Sequence, residues 1–341
     1  MKSQKRIDAF DLSKMILSFL VITIHIPLLE NYLNPLARVA VPVFFMISSY
    51  LFFNKVKDLP GKQGLNVLKH FLLRNARLYA FWFVVLLPIT IRLRNYLSYG
   101  LIQGLGKLLH DFLCYSTFRA SWYIVALCIT VSLIYLMSKK LPNTVLLIIS
   151  AAFFCFFCLY SNYYGLISGF PALVSFGEAY EDFFITICNS FPIGFLWVVL
   201  GKLFAEGSIH LKRNTAVPLL IISFITLYAE QFIVLFFHLN RKNDCYFSLV
   251  PLCIALFSIL YSSNLSLKRS REMRVISTIT YVLHSSALSP IEMLLNRIPF
   301  LHGEMKNFAA FLIDVVLCVS ISIVIMILEK HKGFRWLKWS H

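Results

Sequence analysis

The strongest pattern along the chain is the recurrence of apolar runs separated by short, mostly basic, polar stretches. Ten runs, at 12–30, 36–53, 78–91, 121–138, 143–161, 186–205, 215–237, 246–264, 275–296 and 308–328, approach the length of about 20 residues that one helical crossing of a bilayer needs. The run at 78–91 is short for a full crossing. The expected fold is an all-α polytopic membrane helix bundle of about ten transmembrane helices, with 1–341 forming a single domain. A basic N-terminus ahead of an apolar run resembles a secretory signal, but 26–38 shows no small-residue cleavage pattern and further apolar runs follow, so the first run reads as a retained helix.

Composition supports the same class: the hydrophobic fraction is 59%, charged residues make up 14% and the mean hydropathy is +0.75. A soluble domain could not bury that much apolar surface. The net charge of +16 would suggest nucleic acid in a soluble protein, so its placement decides. Most of the Lys and Arg residues fall in alternate interhelical stretches, beginning with Lys2, Lys5 and Arg6 and ending with Lys330, Lys332, Arg335 and Lys338. The stretch 162–185 carries Glu178, Glu181 and Asp182 but no Lys or Arg. By the positive-inside rule both termini are expected in the cytoplasm and 162–185 outside. No groove-reading motif appears, so no nucleic-acid partner is expected. The loop 54–77 is the one sizeable cytoplasmic connection, and part of 92–120, around Leu101 to Tyr115, is expected along the interface.

Most cysteines fall in apolar runs and read as packing residues. Cys155 and Cys158 form a C-x-x-C without nearby His or charged partners, so no metal site is expected. Cys114 and Cys245 both fall in external stretches, and sequence leaves their pairing open.

Ionisable groups inside membrane helices are costly and mark functional candidates. In the first helix Asp11, Lys14, Ser18 and His25 form one stripe, with His25 returning to within about 20° of Lys14 and standing about 16 Å further along the axis, deep in the membrane. An imidazole titrates near neutral pH and can take and return a proton; it also serves as plain interhelical glue. Arg74 and Arg77 stand three residues apart, suited either to phosphate groups or to simple anchoring at headgroups. Arg38 opens the second helix, which continues through Pro42 to Ser48. Ser277, Thr280, Tyr281 and His284 form a second stripe, ahead of Pro290, and Trp122 and Tyr123 open the fourth helix as interfacial aromatics.

Together these pieces resemble the acyltransferase 3 family of membrane acyltransferases, and within it the bacterial enzymes that O-acetylate cell-surface polysaccharides. The segment Ala37 to Phe53 is similar to the family's R-x-x-V-P-x-F-F-x-I-S-G-Y-L, with Ser49 in the glycine position. Asp11, Lys14 and His25 resemble its D-x-x-R followed by His, with Lys14 replacing the arginine. Arg74-x-x-Arg77, the Ser121-Trp122-Tyr123 segment and Ile276 to His284 match further family fragments in the same order.

The resemblance implies transfer of an acyl group, usually acetyl from cytosolic acetyl-CoA, to a sugar hydroxyl of a cell-surface or lipid-linked polysaccharide. His25 then corresponds to the catalytic histidine, with Lys14 and Asp11 in its motif. Arg74, Arg77 and Lys14 would hold acyl-CoA, and Arg38, Ser48, Trp122, Tyr281 and His284 would line the substrate cavity. Lysine keeps the charge but loses the planar fork of arginine. A transporter or flippase for a glycan or lipid-linked intermediate is the competing class, which would favour matching interrupted helices in two halves; none are seen. The charge placement generates a test of orientation. In spheroplasts a membrane-impermeant maleimide is expected to modify a cysteine placed at Gly169 directly, and cysteines placed at Lys2 or Lys338 only after permeabilisation.

Overall fold

The computed structural model describes residues 7–114, 116–118, 121–184, 186 and 190–341, with the side chains of 92–94, 97, 113 and 114 outside that description. Among the described residues every regular element is helical: α1 (Asp8–His25), α2 (Glu30–Ala37), α3 (Ala40–Val56), α4 (Gly61–Arg94), α5 (Leu101–Cys114), α6 (Trp122–Met137), α7 (Asn143–Ser161), α8 (Tyr164–Ile167), α9 (Pro171–Phe184), α10 (Gly194–Glu206), α11 (Arg213–Phe236), α12 (Leu249–Tyr261), α13 (Ser270–Leu295) and α14 (Gly303–Leu328). Short 3₁₀ segments occupy Tyr96–Tyr99, Phe191–Ile193 and Lys332–Ser340. Each apolar run read from the sequence overlaps a helix among the described residues. The stretches Glu30–Val56, Gly61–Ile91, Asn143–Ser161, Arg213–Phe236 and Gly303–Leu328 are long and apolar enough to cross a membrane by length and composition alone.

Burial divides the helices by depth. α10 is buried at every residue but its last, Glu206, and packs most extensively against α3. By contrast α4, α11 and α14 leave large apolar side chains outside, including Val84, Ile225, Phe232, Val316 and Val324. Apolar residues exposed on the outside of an all-helical bundle suit lipid, because helices satisfy their own backbone groups there. The α3–α10 crossing is close because α10 carries Gly201 where a Cβ would lie 2.5 Å from the Met46 carbonyl oxygen. Across the same contact Ser49 Oγ donates to the Val198 carbonyl at 2.6 Å. Ser49, in the family's glycine position, is thus accommodated by a hydrogen bond, and the small residue sits on the partner helix.

Two boundaries move in ways that matter for the site. α1 stops at His25 rather than continuing to 30, because Pro27 disfavours helical geometry at Ile26, which is extended (φ −118°, ψ 123°). His25 therefore stands exposed in the last turn of α1, not deep within a longer helix. The stretch 54–77 is not a loop: α4 starts at Gly61, just after Pro60, and runs unbroken for 34 residues. Its first turns carry Lys62, Gln63, Asn66 and Lys69 on exposed positions while Leu68 is buried, so hydropathy alone does not register them as helix.

Other connections are also ordered. The segment 162–185 contains α8 and α9, and Glu181 on α9 pairs with Arg241 (3.0 Å) and Lys242 (2.7 Å) from the segment joining α11 to α12. α5 exposes Leu101, Ile102, Leu105 and Leu109 as one apolar stripe. Cys245 is buried, while the Cys114 side chain lies outside the described residues, as does Cys188. Past α14 the 3₁₀ segment folds back on α4: Trp82 Nε1 donates to the Ser340 carbonyl at 2.9 Å, and Arg77 lies over the Trp339 ring, 5.9 Å from its centroid. Replacing Gly201 with Ala is expected to force α3 and α10 apart, with an overpacking cost of about 1–3 kcal/mol. A lower thermal midpoint in detergent would register it, while Gly61→Ala, which meets nothing within 4 Å, leaves the midpoint unchanged.

Candidate active site

Two cavities among the helices share Tyr281 in their linings. The larger, about 790 Å³, opens between α1, α3, α4, α6 and α13. Its wall carries Lys14, Lys55, Arg74, Arg271 and Arg274 with His70 and His341, and Asp11 is the one carboxylate among the lining residues. Aromatic and aliphatic residues, including Phe10, Phe44, Phe71 and Tyr123, form the rest. Several cations on low-dielectric walls focus a positive potential, and the volume falls in the range of small-molecule sites.

Asp11 links two helices at this end. Ser270 Oγ donates to Asp11 Oδ2 at 2.6 Å, and Arg274 Nε lies 3.4 Å from Asp11 Oδ1. One turn earlier, the Leu267 backbone N–H donates to Asp8 Oδ2 at 2.7 Å. These bonds anchor the start of α13 on α1 and hold Arg274 beside the cavity. At the far side of the chamber Arg271 Nη2 reaches Glu329 at 2.7 Å, and His341 Nε2 lies 3.4 Å from the other oxygen of that carboxylate. Burial holds the His341 imidazole below its usual range, Glu329 opposes the shift, and Arg271 and Arg274 add to it.

The smaller cavity, about 120 Å³, is lined by His25, Arg38, Pro42, Trp122, Trp197, Asp244, Tyr281 and His284 among others. The His25 and His284 rings face one another with centroids 5.2 Å apart. His284 Nδ1 lies 2.9 Å from the Thr280 carbonyl oxygen, which can only accept, so Nδ1 carries the proton and Nε2 presents a lone pair. That Nε2 is buried and has no hydrogen-bond partner among the described residues.

Tyr281 lines both cavities. Its ring meets Phe44 edge-on at 5.9 Å and Tyr123 at 5.3 Å, and the Tyr123 hydroxyl lies 3.4 Å from Ser48 Oγ. This aromatic layer is the wall between a basic chamber and an imidazole chamber.

The sequence-derived candidates sort across that wall. Lys14, Asp11, Ser48 and Arg74 line the basic chamber; His25, Arg38, Trp122 and His284 line the other; Tyr281 belongs to both. Arg77 lines neither. Residues three apart on a helix point about 60° apart, so Arg74 faces the cavity while Arg77 turns to Trp339. Ser18 also lines neither, since its hydroxyl bonds back to the Met15 carbonyl at 2.8 Å.

Arg271 and Arg274, in the first turns of α13 and not among the candidates, join the basic wall. The signal was available: 274, 277/278, 281 and 284 continue the stripe already visible on α13 one turn toward its start. Asp244 and Trp197 carried no such signal, because the chain reaches the site there through long-range packing.

Within this helical membrane bundle a cationic chamber and a pair of imidazoles thus share one tyrosine in their walls. The chain matches the family model for an acyltransferase domain over residues 7–327 and belongs to the acyltransferase 3 family. It is therefore a membrane acyltransferase. No curated protein and no solved structure matches it. Glu329, the final 3₁₀ segment and His341 lie beyond the matched stretch. Removing the shared ring by Tyr281→Ala is expected to join the cavities. A cysteine at Ser277 should then react with a bulky maleimide entering from the His25 end, and stay unreactive from that end when Tyr281 is intact.

Proposed function

We propose that the protein is an O-acyltransferase that moves an acyl group, acetyl from acetyl-CoA, onto a sugar hydroxyl of a cell-surface or lipid-linked polysaccharide in the bacterial inner membrane. The observation that carries this reading is the shared Tyr281 wall between a cationic chamber and an imidazole chamber. Coenzyme A carries a pyrophosphate and a ribose phosphate, and the cations of the larger chamber suit that anion. With both termini cytoplasmic, as the loop charges imply, that chamber opens to the cytosolic donor and the His25 end opens outward to the glycan.

In the reaction the acceptor oxygen attacks the thioester carbonyl carbon while His25 takes the hydroxyl proton. The C–S bond then breaks, the acyl group stays on the acceptor oxygen as an ester, and the imidazolium returns its proton to the departing sulfur. Lys14, Arg74, Arg271 and Arg274 hold the donor's anionic part, and Asp11 fixes Arg274 for that task. No metal enters the scheme.

The test is labelled-acetyl transfer from acetyl-CoA to envelope glycan by membranes holding equal amounts of each variant. Base removal of this kind costs about 10²–10⁴-fold, so His25→Ala is expected to fall by that factor. Arg74→Ala should raise the KM for acetyl-CoA, with Arg77→Ala closer to the parent in KM. Transfer by His25→Ala and Arg74→Ala at the parent rate would sink the assignment. Glycan export lost with acetyl content unchanged would instead mark a transporter.

A further inference from the structure

The smaller cavity contains an ion pair that no motif announces. Arg38 Nη2 lies 2.7 Å from Asp244 Oδ1, and Arg38 Nε donates to Asn34 Oδ1 at 2.9 Å. Asp244 does not arrive on a helix. It sits in the segment between α11 and α12, and two side chains hold that segment in place. Asn162 Oδ1 accepts the backbone N–H groups of Asp244 and Cys245, each at 2.9 Å. Glu230 accepts the N–H groups of Phe247 (2.7 Å) and Ser248 (2.8 Å) together with the Ser248 hydroxyl. The Tyr163 hydroxyl donates to the same carboxylate at 2.8 Å, and burial with that neighbour pushes its phenol well above the usual range, so it remains a donor. A carboxylate fixed so firmly, with its partner fixed independently, is held in a set geometry within the cavity.

The chemistry of the lining narrows the occupant. Arg38 offers N–H donors, Asp244 retains Oδ2 as an acceptor beside the paired oxygen, and His284 Nε2 is a buried lone pair with no partner among the described residues. Trp122 and Trp197 add ring faces. A cationic amine would compete with Arg38 for the carboxylate, whereas a neutral hydroxyl can donate to Asp244 or His284 and accept from Arg38 without breaking the pair. The cavity of about 120 Å³ is smaller than the range of about 300–1,000 Å³ of whole-ligand pockets, so it takes part of an acceptor, the reacting hydroxyl and its neighbours.

We propose that Asp244, oriented by Arg38, is the specificity-determining residue for the acceptor, hydrogen-bonding a hydroxyl neighbouring the one acylated while His284 Nε2 accepts from another. This rests on the acyl-transfer reading above.

The experiment uses the full chain in detergent, [¹⁴C]acetyl-CoA, and the methyl α-glycosides of glucose, galactose and mannose as acceptor probes. Asp244→Asn is expected to raise the KM of whichever glycoside is labelled by tenfold or more, or to reorder the three. The KM for acetyl-CoA should stay within twofold. Because loss of one member of a buried pair can unfold a protein, Arg38→Gln with Asp244→Asn is compared at the same time, with thermal midpoints. A purely structural pair predicts that the double variant regains the parent's acceptor KM, and recognition predicts that it does not. An acceptor KM within twofold of the parent in Asp244→Asn overturns this proposal alone. A parent that labels none of the three glycosides overturns the acyl-transfer-to-sugar reading and this proposal with it.

Discussion

A helix enclosed on all sides can be surrounded by other helices only as closely as its own side chains allow, and α10 sets that limit here. With Gly201 against the Met46 carbonyl, Ser49 bonded to Val198 and the Phe45 ring against Gly194, α3 lies close along it and turns Phe44 and Ser48 to the larger cavity. Those residues meet Tyr123 on α6, with Phe45 and Tyr123 centroids 4.6 Å apart, and Tyr123 in turn meets Tyr281 on α13. Interiors are packed too densely to absorb a shift silently, so the α3–α10 spacing propagates to the aromatic layer at the centre of the site.

Charge is distributed around that layer with opposite purposes at the two ends. At the basic end cations exceed carboxylates, and the few acids there are committed: Asp11 to Ser270 and Arg274, Glu329 to Arg271. Unbalanced positive charge in a narrow chamber is expensive without an anion, which suits a chamber that empties and refills. At the other end the Arg38–Asp244 pair is balanced and its supports are rigid. A balanced, well-supported pair suits a neutral partner that must be aligned more than attracted.

Much of this was legible in the chain. The apolar runs marked the helices because burial in lipid demands length and composition together, and the stripes on α1 and α13 marked lining residues because a helix repeats its faces every 3.6 residues. Lys14, His25, Tyr281 and His284 were found that way, and Arg74 through its spacing from Arg77. What escaped has physical causes. The polar first turns of α4 are helical through packing of Leu68 and its neighbours, which hydropathy averages away. The end of α1 at His25 was recorded in Pro27, a local signal weaker than the apolar run around it. Arg77 parted from Arg74 because its partner, Trp339, lies far along the chain. Asp244 reached the cavity through Asn162 and Arg38, contacts that no local pattern encodes.

The single tyrosine between the chambers has an electrical meaning as well as a chemical one. Two polar vestibules that approach one another from opposite faces thin the insulating part of a membrane to the depth of the layer separating them. With the two cavities open to opposite faces, as proposed, most of the transmembrane voltage would fall across the Tyr281, Tyr123 and Phe44 rings instead of across the full lipid thickness. A proton displaced past that layer during turnover does work against the field of about 2.3 kcal/mol per 100 mV. In the proposed orientation the rings would thus serve as the local dielectric of the membrane, and the membrane voltage would act directly on the atoms that react.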